Sequence, residues 1–117
     1  MGGKSSQQKG KRFEREVAKQ INKKFEKANV RRTPLSGGLD FKGDIICIND
    51  SSIISEFSWE CKNQEKLNIW KALEQSRNDA PIRTMPVVVF TKNHEKEYAA
   101  LLLEDFLNII KELEDLR

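Results

Sequence analysis

The chain has 117 residues, a length that fits one compact domain able to bury a core without disulfides or a structural metal. Its composition, with 33% charged and 38% hydrophobic residues, is typical of a soluble globular protein, and no apolar run approaches the roughly 18 residues that a membrane span requires. Two cysteines and one histidine, without zinc-finger spacing, argue against a structural zinc site.

The net charge of +3 is unevenly distributed, since basic residues dominate the first third of the chain and acidic residues its C-terminal end. This asymmetry favours a polyanionic partner for the basic part. A solvated helix face is the structural alternative, and charge alone does not decide between the two. We expect residues 1–8 to form a flexible tail and residues 9–117 to form a single cytoplasmic domain.

A first helix is predicted from about Gln8 to Ala28, because apolar residues from Phe13 onward recur at helical spacing. On a helical wheel of about 100° per residue they fill an arc of roughly 140°. Glu14 lies inside that arc, whereas Glu16 lies outside it. A carboxylate on a buried stripe is costly unless it is paired, protonated or bound to metal, so Glu14 is a candidate functional residue.

Three strands are predicted next, separated by a loop and a turn. A short strand from Val30 to Thr33 leads into a loop over residues 34–39 that contains two adjacent glycines. A strand from Gly43 to Ile48 and another from Ile53 to Lys62 flank a turn at residues 49–52. These two strands are expected to form a hairpin.

The second half of the chain is predicted to complete a mixed sheet flanked by helices. A helix runs from about Ile69 to Asp79, and Met85–Phe90 is an apolar run typical of a central strand buried on both faces. A strand at Tyr98–Leu102 and a closing helix at Leu103–Leu116 follow. The helix residues expected to face inward are Trp70, Leu73 and Ser76. The predicted fold class is therefore α/β, with an α-β-β-β-α-β core.

The strand that ends at Lys62 alternates between an apolar and a polar face. Glu60 and Lys62 share the polar face, about 6.7 Å apart at a rise of ~3.3 Å per residue. A carboxylate beside an ammonium group suits phosphodiester hydrolysis, because the acid can hold a hard cation while the lysine orients water or neutralises charge on phosphate. Asp44 leads the preceding strand and supplies a second carboxylate. We interpret Cys47 and Cys61 as buried core thiols on the opposite face.

Together these residues resemble the PD-(D/E)XK nuclease superfamily, and the resemblance covers nearly the whole chain. It is carried by the helical segment Gly10–Glu16, a serine-containing loop, the strand led by Asp44, and Glu60-Cys61-Lys62. The nearest matches are small archaeal-type Holliday-junction resolvases and related phage endonucleases. Gly43 stands where the motif has a proline, a departure that leaves the carboxylate chemistry intact.

The resemblance implies a restriction-endonuclease-like mixed β-sheet and a Mg²⁺-dependent endonuclease that cleaves branched DNA, with Mn²⁺ able to substitute. It implies a phage-encoded homodimer acting in the host cytoplasm, since two symmetric nicks need two sites. The implied catalytic residues are Glu14, Asp44, Glu60, Lys62 and Gln75. The implied metal ligands are Glu14, Asp44, Glu60 and the carbonyl of Cys61. The residues expected to contact DNA are Lys9, Lys11, Arg12, Arg31, Arg32, Ser36 and Lys42.

Structural alternatives exist for each of these residues. Glu60 and Lys62 can be an exposed cross-strand pair, Asp44 a loop terminus, Glu14 part of a surface helix and Gln75 part of a solvated one. The functional alternatives are a non-specific or restriction-like nuclease and a DNA-binding protein of the same fold without turnover. Trp70 is most simply a core residue, although an exposed tryptophan there could stack on an unpaired base.

Overall fold

The computed structural model of the protein describes residues 2–33, 44–49 and 51–117, with side chains from residue 7 onward within those ranges. The described residues contain three α-helices and five β-strands. The helices are α1 (Gly2–Lys24), α2 (Ile69–Asp79) and α3 (Leu103–Asp115). The strands are β1 (Val30–Arg32), β2 (Ile45–Cys47), β3 (Phe57–Asn63), β4 (Met85–Thr91) and β5 (Tyr98–Leu101). This mixed sheet flanked by helices confirms the predicted α/β class.

The strands lie in the order β1-β2-β3-β4-β5, and only β3 and β4 run parallel among these neighbours. The antiparallel pairing of β2 with β3 confirms the predicted hairpin. The strand predicted to begin at Ile53 begins instead at Phe57, because Ile53–Glu56 form a turn of 3-10 helix. The Ser52 hydroxyl accepts a hydrogen bond from the Ile54 N–H at 3.2 Å, which favours this turn over a strand.

The main core lies between α1 and one face of the sheet. The apolar stripe of α1 packs against β1 and β3, with Phe13 the most deeply buried residue of that stripe. The core residues are Phe13, Val17, Ala18, Ile21, Val30, Ile45, Ile54, Cys61 and Val89. The helix begins at Gly2, ahead of the predicted start near Gln8, because the apolar periodicity starts only at Phe13 and cannot mark the first turns.

Helix α2 covers the other face of β3 and β4. The Asn68 side chain caps it by accepting the Lys71 N–H at 3.1 Å, and Ala72 and Ser76 are its buried residues. The prediction that Trp70 faces inward is wrong, since this side chain is 79% exposed. Trp70 lies two residues before Ala72, about 200° around the helix, and therefore points away from the sheet.

The centre of the sheet is β4, where Val87, Val88 and Val89 are buried on both faces, as predicted. Beyond it, β5 forms one edge of the sheet, and α3 follows directly without a single buried residue. Within the described ranges, no helix is both long enough and apolar enough to cross a bilayer.

Candidate active site

Asp44 lies between β1 and β3, where main-chain hydrogen bonds fix it on both sides. Its carbonyl accepts the Thr33 N–H at 2.9 Å, and its own N–H donates to the Trp59 carbonyl at 2.7 Å. Its carboxylate oxygen Oδ2 accepts the backbone N–H of Cys61 at 2.6 Å. The side chain is therefore held against β3 beside the Glu60-Cys61-Lys62 segment.

The carboxyl groups of Asp44 and Glu60 lie close enough for each to shift the pKa of the other. Burial raises the pKa of Glu60 to about 7, and repulsion from Asp44 adds to the shift while Lys62 opposes it. Burial also raises the pKa of Asp44, which the Cys61 N–H counteracts and the charge of Glu14 reinforces. A neighbouring positive charge would therefore stabilise the ionised forms of these two acids.

Lys62 provides one such charge. Its Nζ lies 4.0 Å from Oε2 of Glu60, and its side chain is partly buried. The two residues share a face of β3, as the alternation predicted, while Cys61 between them points into the core against α1. Burial raises the pKa of the Cys61 thiol, so it stays protonated and is a poor candidate for a nucleophile.

Glu14 is bound by Arg32, a partner that the sequence did not indicate. Arg32 Nε donates to Oε1 of Glu14 at 2.8 Å, and both side chains are mostly shielded from solvent. The pair joins α1 to β1 across a separation of 18 residues in sequence. It explains how an acid can lie on the buried stripe of α1, because the arginine compensates its charge.

These residues surround one cleft with a volume of about 550 Å³. Glu14, Asp44, Cys61 and Lys62 line it, and Glu60 lies buried beside them. The structure thus brings together the side chains of Glu14, Asp44, Glu60 and Lys62 and the main chain of Cys61. The sequence analysis placed these residues on three separate elements, the first helix and two strands. The other lining residues are Lys9, Gly10, Asn63, Gln64, Glu65 and Lys66.

Other predicted site residues lie apart from this cleft or outside the described ranges. Gln75 lies on the exposed side of α2 and does not line the cleft. Arg12 lines a neighbouring depression that shares Lys9 and Asn63 with the cleft, and Arg31 is exposed on β1. Lys11, on α1, is partly buried. Ser36 and Lys42 lie outside the described residues.

The donor atoms in this cleft suit a hard divalent cation. Within the described ranges no three His, Cys, Asp or Glu side chains are arranged to enclose an ion, which agrees with the binding of Glu14 by Arg32. The Asp44 and Glu60 pair still offers carboxylate oxygens whose mutual repulsion a cation would relieve. The N–H and C=O of one residue in a strand point to the same side, so the Cys61 carbonyl is directed toward the edge where Asp44 lies.

Sequence reasoning missed the residues that follow Lys62. Asn63, Gln64, Glu65 and Lys66 all line the cleft. Oδ1 of Asn63 is buried and has no hydrogen-bond partner among the described residues. These residues follow the carboxyl end of a predicted strand, and ligands commonly bind at that end of the strands in open α/β sheets. This position could have indicated them as candidate site residues.

A protein-family model described as "Phage putative PDDEXK endonuclease" matches residues 5–116 of the chain. The match includes all the residues that surround the cleft. No curated protein and no solved structure matches the chain.

Proposed function

This chain belongs to the phage PDDEXK endonuclease family, and we propose that it is a Mg²⁺-dependent enzyme that hydrolyses phosphodiester bonds in branched DNA. One observation carries the proposal: the side chains of Asp44, Glu60 and Lys62 lie together beside one cleft, with the Lys62 amine 4.0 Å from the Glu60 carboxylate. Paired acids next to a lysine supply the charges that phosphodiester hydrolysis requires. The preference for branched DNA rests on the resemblance to Holliday-junction resolvases.

Asp44, Glu60 and the carbonyl of Cys61 would hold the cation. Glu14 is a further proposed ligand through its Oε2, because the hydrogen bond from Arg32 involves only Oε1. When bound, a divalent cation lowers the pKa of a coordinated water and polarises the phosphate. Mg²⁺ is the proposed ion, with Mn²⁺ able to substitute, because carboxylate and carbonyl oxygens are the ligands that it prefers.

Lys62 is the proposed catalytic cation of the chain itself. Its amine lies at the cleft, close enough to Glu60 to stay near the acids. From there it can orient the attacking water and stabilise the negative charge that grows on the phosphate. Gln75 is also proposed as a member of this set, on the strength of the family resemblance alone.

The DNA backbone is proposed to follow the basic residues around the cleft. Lys9 lines the cleft itself and pairs with Glu65 at 3.6 Å, while Arg12 extends the charge into the neighbouring depression. The full proposed set is Lys9, Lys11, Arg12, Arg31, Arg32, Ser36 and Lys42. Contacts of this kind position a backbone and do not read its sequence.

A homodimer is proposed because two symmetric nicks need two active sites. The apolar stripe of α3 is exposed and repeats at helical spacing, and β5, which precedes α3 in the chain, has a free edge among the described strands. The stripe consists of Leu103, Phe106, Leu107, Ile110 and Leu113. A two-fold axis through the α3 stripe would cover it with the stripe of a second copy. Light scattering of the protein and of Phe106→Asp, which should be monomeric, tests this proposal.

Cleavage of matched DNA substrates tests the proposed function. We expect the purified protein with Mg²⁺ to cut branched DNA, either a four-way junction or a flap, faster than a linear duplex of the same sequence. Equal cutting of all three DNA substrates would identify a non-specific nuclease. Cutting of linear duplexes at one particular sequence would identify a restriction-like enzyme. Binding without cutting under any divalent cation would leave a DNA-binding protein of the same fold.

A further inference from the structure

A second groove adjoins the site described above and opens on the face of the sheet that carries Lys62. It has a volume of about 510 Å³ and is walled by two aromatic rings, by Leu67 and Ile69 at the start of α2, and by two lysines and two glutamates. The rings of Phe90 and Tyr98 lie 5.9 Å apart between centroids, at an angle of 29°. Tyr98 is 55% exposed, so this ring of the pair is accessible from solvent.

The pairing of the strands places this aromatic pair in register with the proposed catalytic lysine. Lys62 of β3 lies opposite Phe90 of β4, and Phe90 lies opposite Tyr98 of β5. Residues directly opposite each other point to the same face of a sheet. At about 4.8 Å between strands, the Cα of Tyr98 is roughly 10 Å from that of Lys62, or about three steps of a stacked strand at 3.4 Å per nucleotide.

The groove is continuous with the cleft. Gln64 and Glu65 line both, and Glu65 joins their walls by accepting the Asn93 N–H at 2.7 Å while pairing with Lys9 of α1. A strand whose phosphate lies at Lys62 therefore has the groove next to it, on the other side of the Gln64–Glu65 segment.

The turn that carries the two lysines of the groove is held by its own hydrogen bonds. The Thr91 hydroxyl lies within hydrogen-bonding distance of the carbonyls of Glu95 and Lys96, and the Glu95 N–H donates to the carbonyl of Lys92. Lys92 and Lys96 are thus attached to a defined turn at the rim of the aromatic pair, where they can contact the phosphates on either side of a base.

We propose that this groove binds an unpaired nucleobase of the DNA substrate, stacked on Tyr98 and Phe90, with Lys92 and Lys96 on the flanking phosphates. The proposal rests on the proposed nuclease function and adds to it a substrate class: DNA with unpaired nucleotides about three steps from the cut. Aromatic side chains stack on any base, so the groove selects an unpaired strand without selecting its sequence. A fully paired duplex keeps its bases inside the helix and cannot fill the groove.

Substitution of Tyr98 separates stacking from charge. We expect Tyr98→Leu to weaken binding to a duplex with a short single-stranded gap by about 5- to 150-fold, while Tyr98→Phe stays within about twofold of the parent. The salt dependence of binding should be the same for all three proteins, because no phosphate contact is lost. Binding is measured by fluorescence anisotropy in EDTA, and 2-aminopurine in the gap should be quenched by the parent and by Tyr98→Phe only.

Three results would overturn the proposal. The first is that Tyr98→Leu and the parent bind gapped DNA with equal affinity, and the second is that Tyr98→Leu loses as much affinity for a fully paired duplex as for gapped DNA. The third is that a free nucleoside monophosphate competes for the protein as effectively as the gapped strand does. Cleavage of the same DNA by the parent with Mg²⁺ keeps the two hypotheses apart. If the parent cuts the DNA but binding does not depend on Tyr98, only the proposed base-binding role of the groove is refuted. Tyr98-dependent binding without cutting supports the groove and refutes the nuclease function.

Discussion

The carboxylate of Asp44 accepts the backbone N–H of Cys61 at 2.6 Å, and this bond joins the start of β2 to the segment of β3 that carries Glu60 and Lys62. The bond keeps one oxygen of Asp44 directed at β3, next to the residue that carries the second acid, Glu60. The position of the two acids is thus set by the sheet and does not depend on a flexible loop.

Loss of the Asp44 charge should abolish stabilisation by metal. We expect Mg²⁺ or Mn²⁺ at about 100 times its dissociation constant to stabilise the parent by ~2.7 kcal/mol, because the ion binds the folded site and not the unfolded chain. Asp44→Asn keeps an acceptor for the Cys61 N–H but should show little or no shift in melting temperature with the ion. Asp105→Asn, on α3, is the control and should respond like the parent. No shift in the parent would contradict a metal site.

The burial of Glu60 should make stability depend on pH. Burial raises its pKa from 4.5 to about 7, so the folded protein binds a proton that the unfolded chain releases. Stability without divalent cations is therefore expected to fall as pH rises through that interval. Glu60→Gln should melt at least about 4 °C higher than the parent at pH 8 and close to it at pH 4. Parallel melting curves at both pH values would refute this, and Glu114→Gln on exposed α3 serves as the control.

The Glu14–Arg32 pair should couple α1 to β1. We expect Arg32→Ala to lower the free energy of unfolding by roughly 1–3 kcal/mol, because it leaves the shielded carboxylate of Glu14 without its partner. Adding Glu14→Gln should recover part of the loss, with an interaction energy of about 1 kcal/mol in a double-mutant cycle from urea unfolding. Additive effects of the two substitutions would show that the pair contributes nothing.

Arg31 offers a cleaner test of DNA binding than Arg32, because Arg32 is engaged by Glu14 and Arg31 is exposed. Arg31→Ala should weaken binding of all DNA sequences alike and reduce the slope of log affinity against log salt by about one. Its single-turnover cleavage at saturating enzyme should match that of the parent. An unchanged slope would remove Arg31 from the proposed DNA surface.

Local patterns predicted much of this structure, since they depend on spacing alone. The 3.6-residue periodicity of α1, the buried valines of β4 and the alternation around Cys61 each follow from which residues face the core. They also placed Glu14, Asp44 and Lys62 on elements that meet at one cleft.

Long-range and capping contacts could not be predicted in this way. No spacing rule links Glu14 to Arg32, because their pairing depends on how α1 crosses β1. The Ser52 cap replaced the first residues of a predicted strand by a 3-10 turn. The prediction that Trp70 faces inward is wrong because the small residues Ala72 and Ser76 define the face of α2 that packs against the sheet.

Single-turnover cleavage by Lys62→Ala tests the central claim most directly, because this substitution removes the proposed catalytic charge and leaves both acids in place. We expect its rate to fall by about 10²- to 10³-fold with Mg²⁺, while its affinity for the same DNA falls little and its salt slope changes by about one at most. Lys71→Ala removes the same charge from an exposed position on α2 and should cleave like the parent. Cleavage by Lys62→Ala at the parental rate would contradict the account and reduce the Glu60-Cys61-Lys62 segment to a structural part of the sheet.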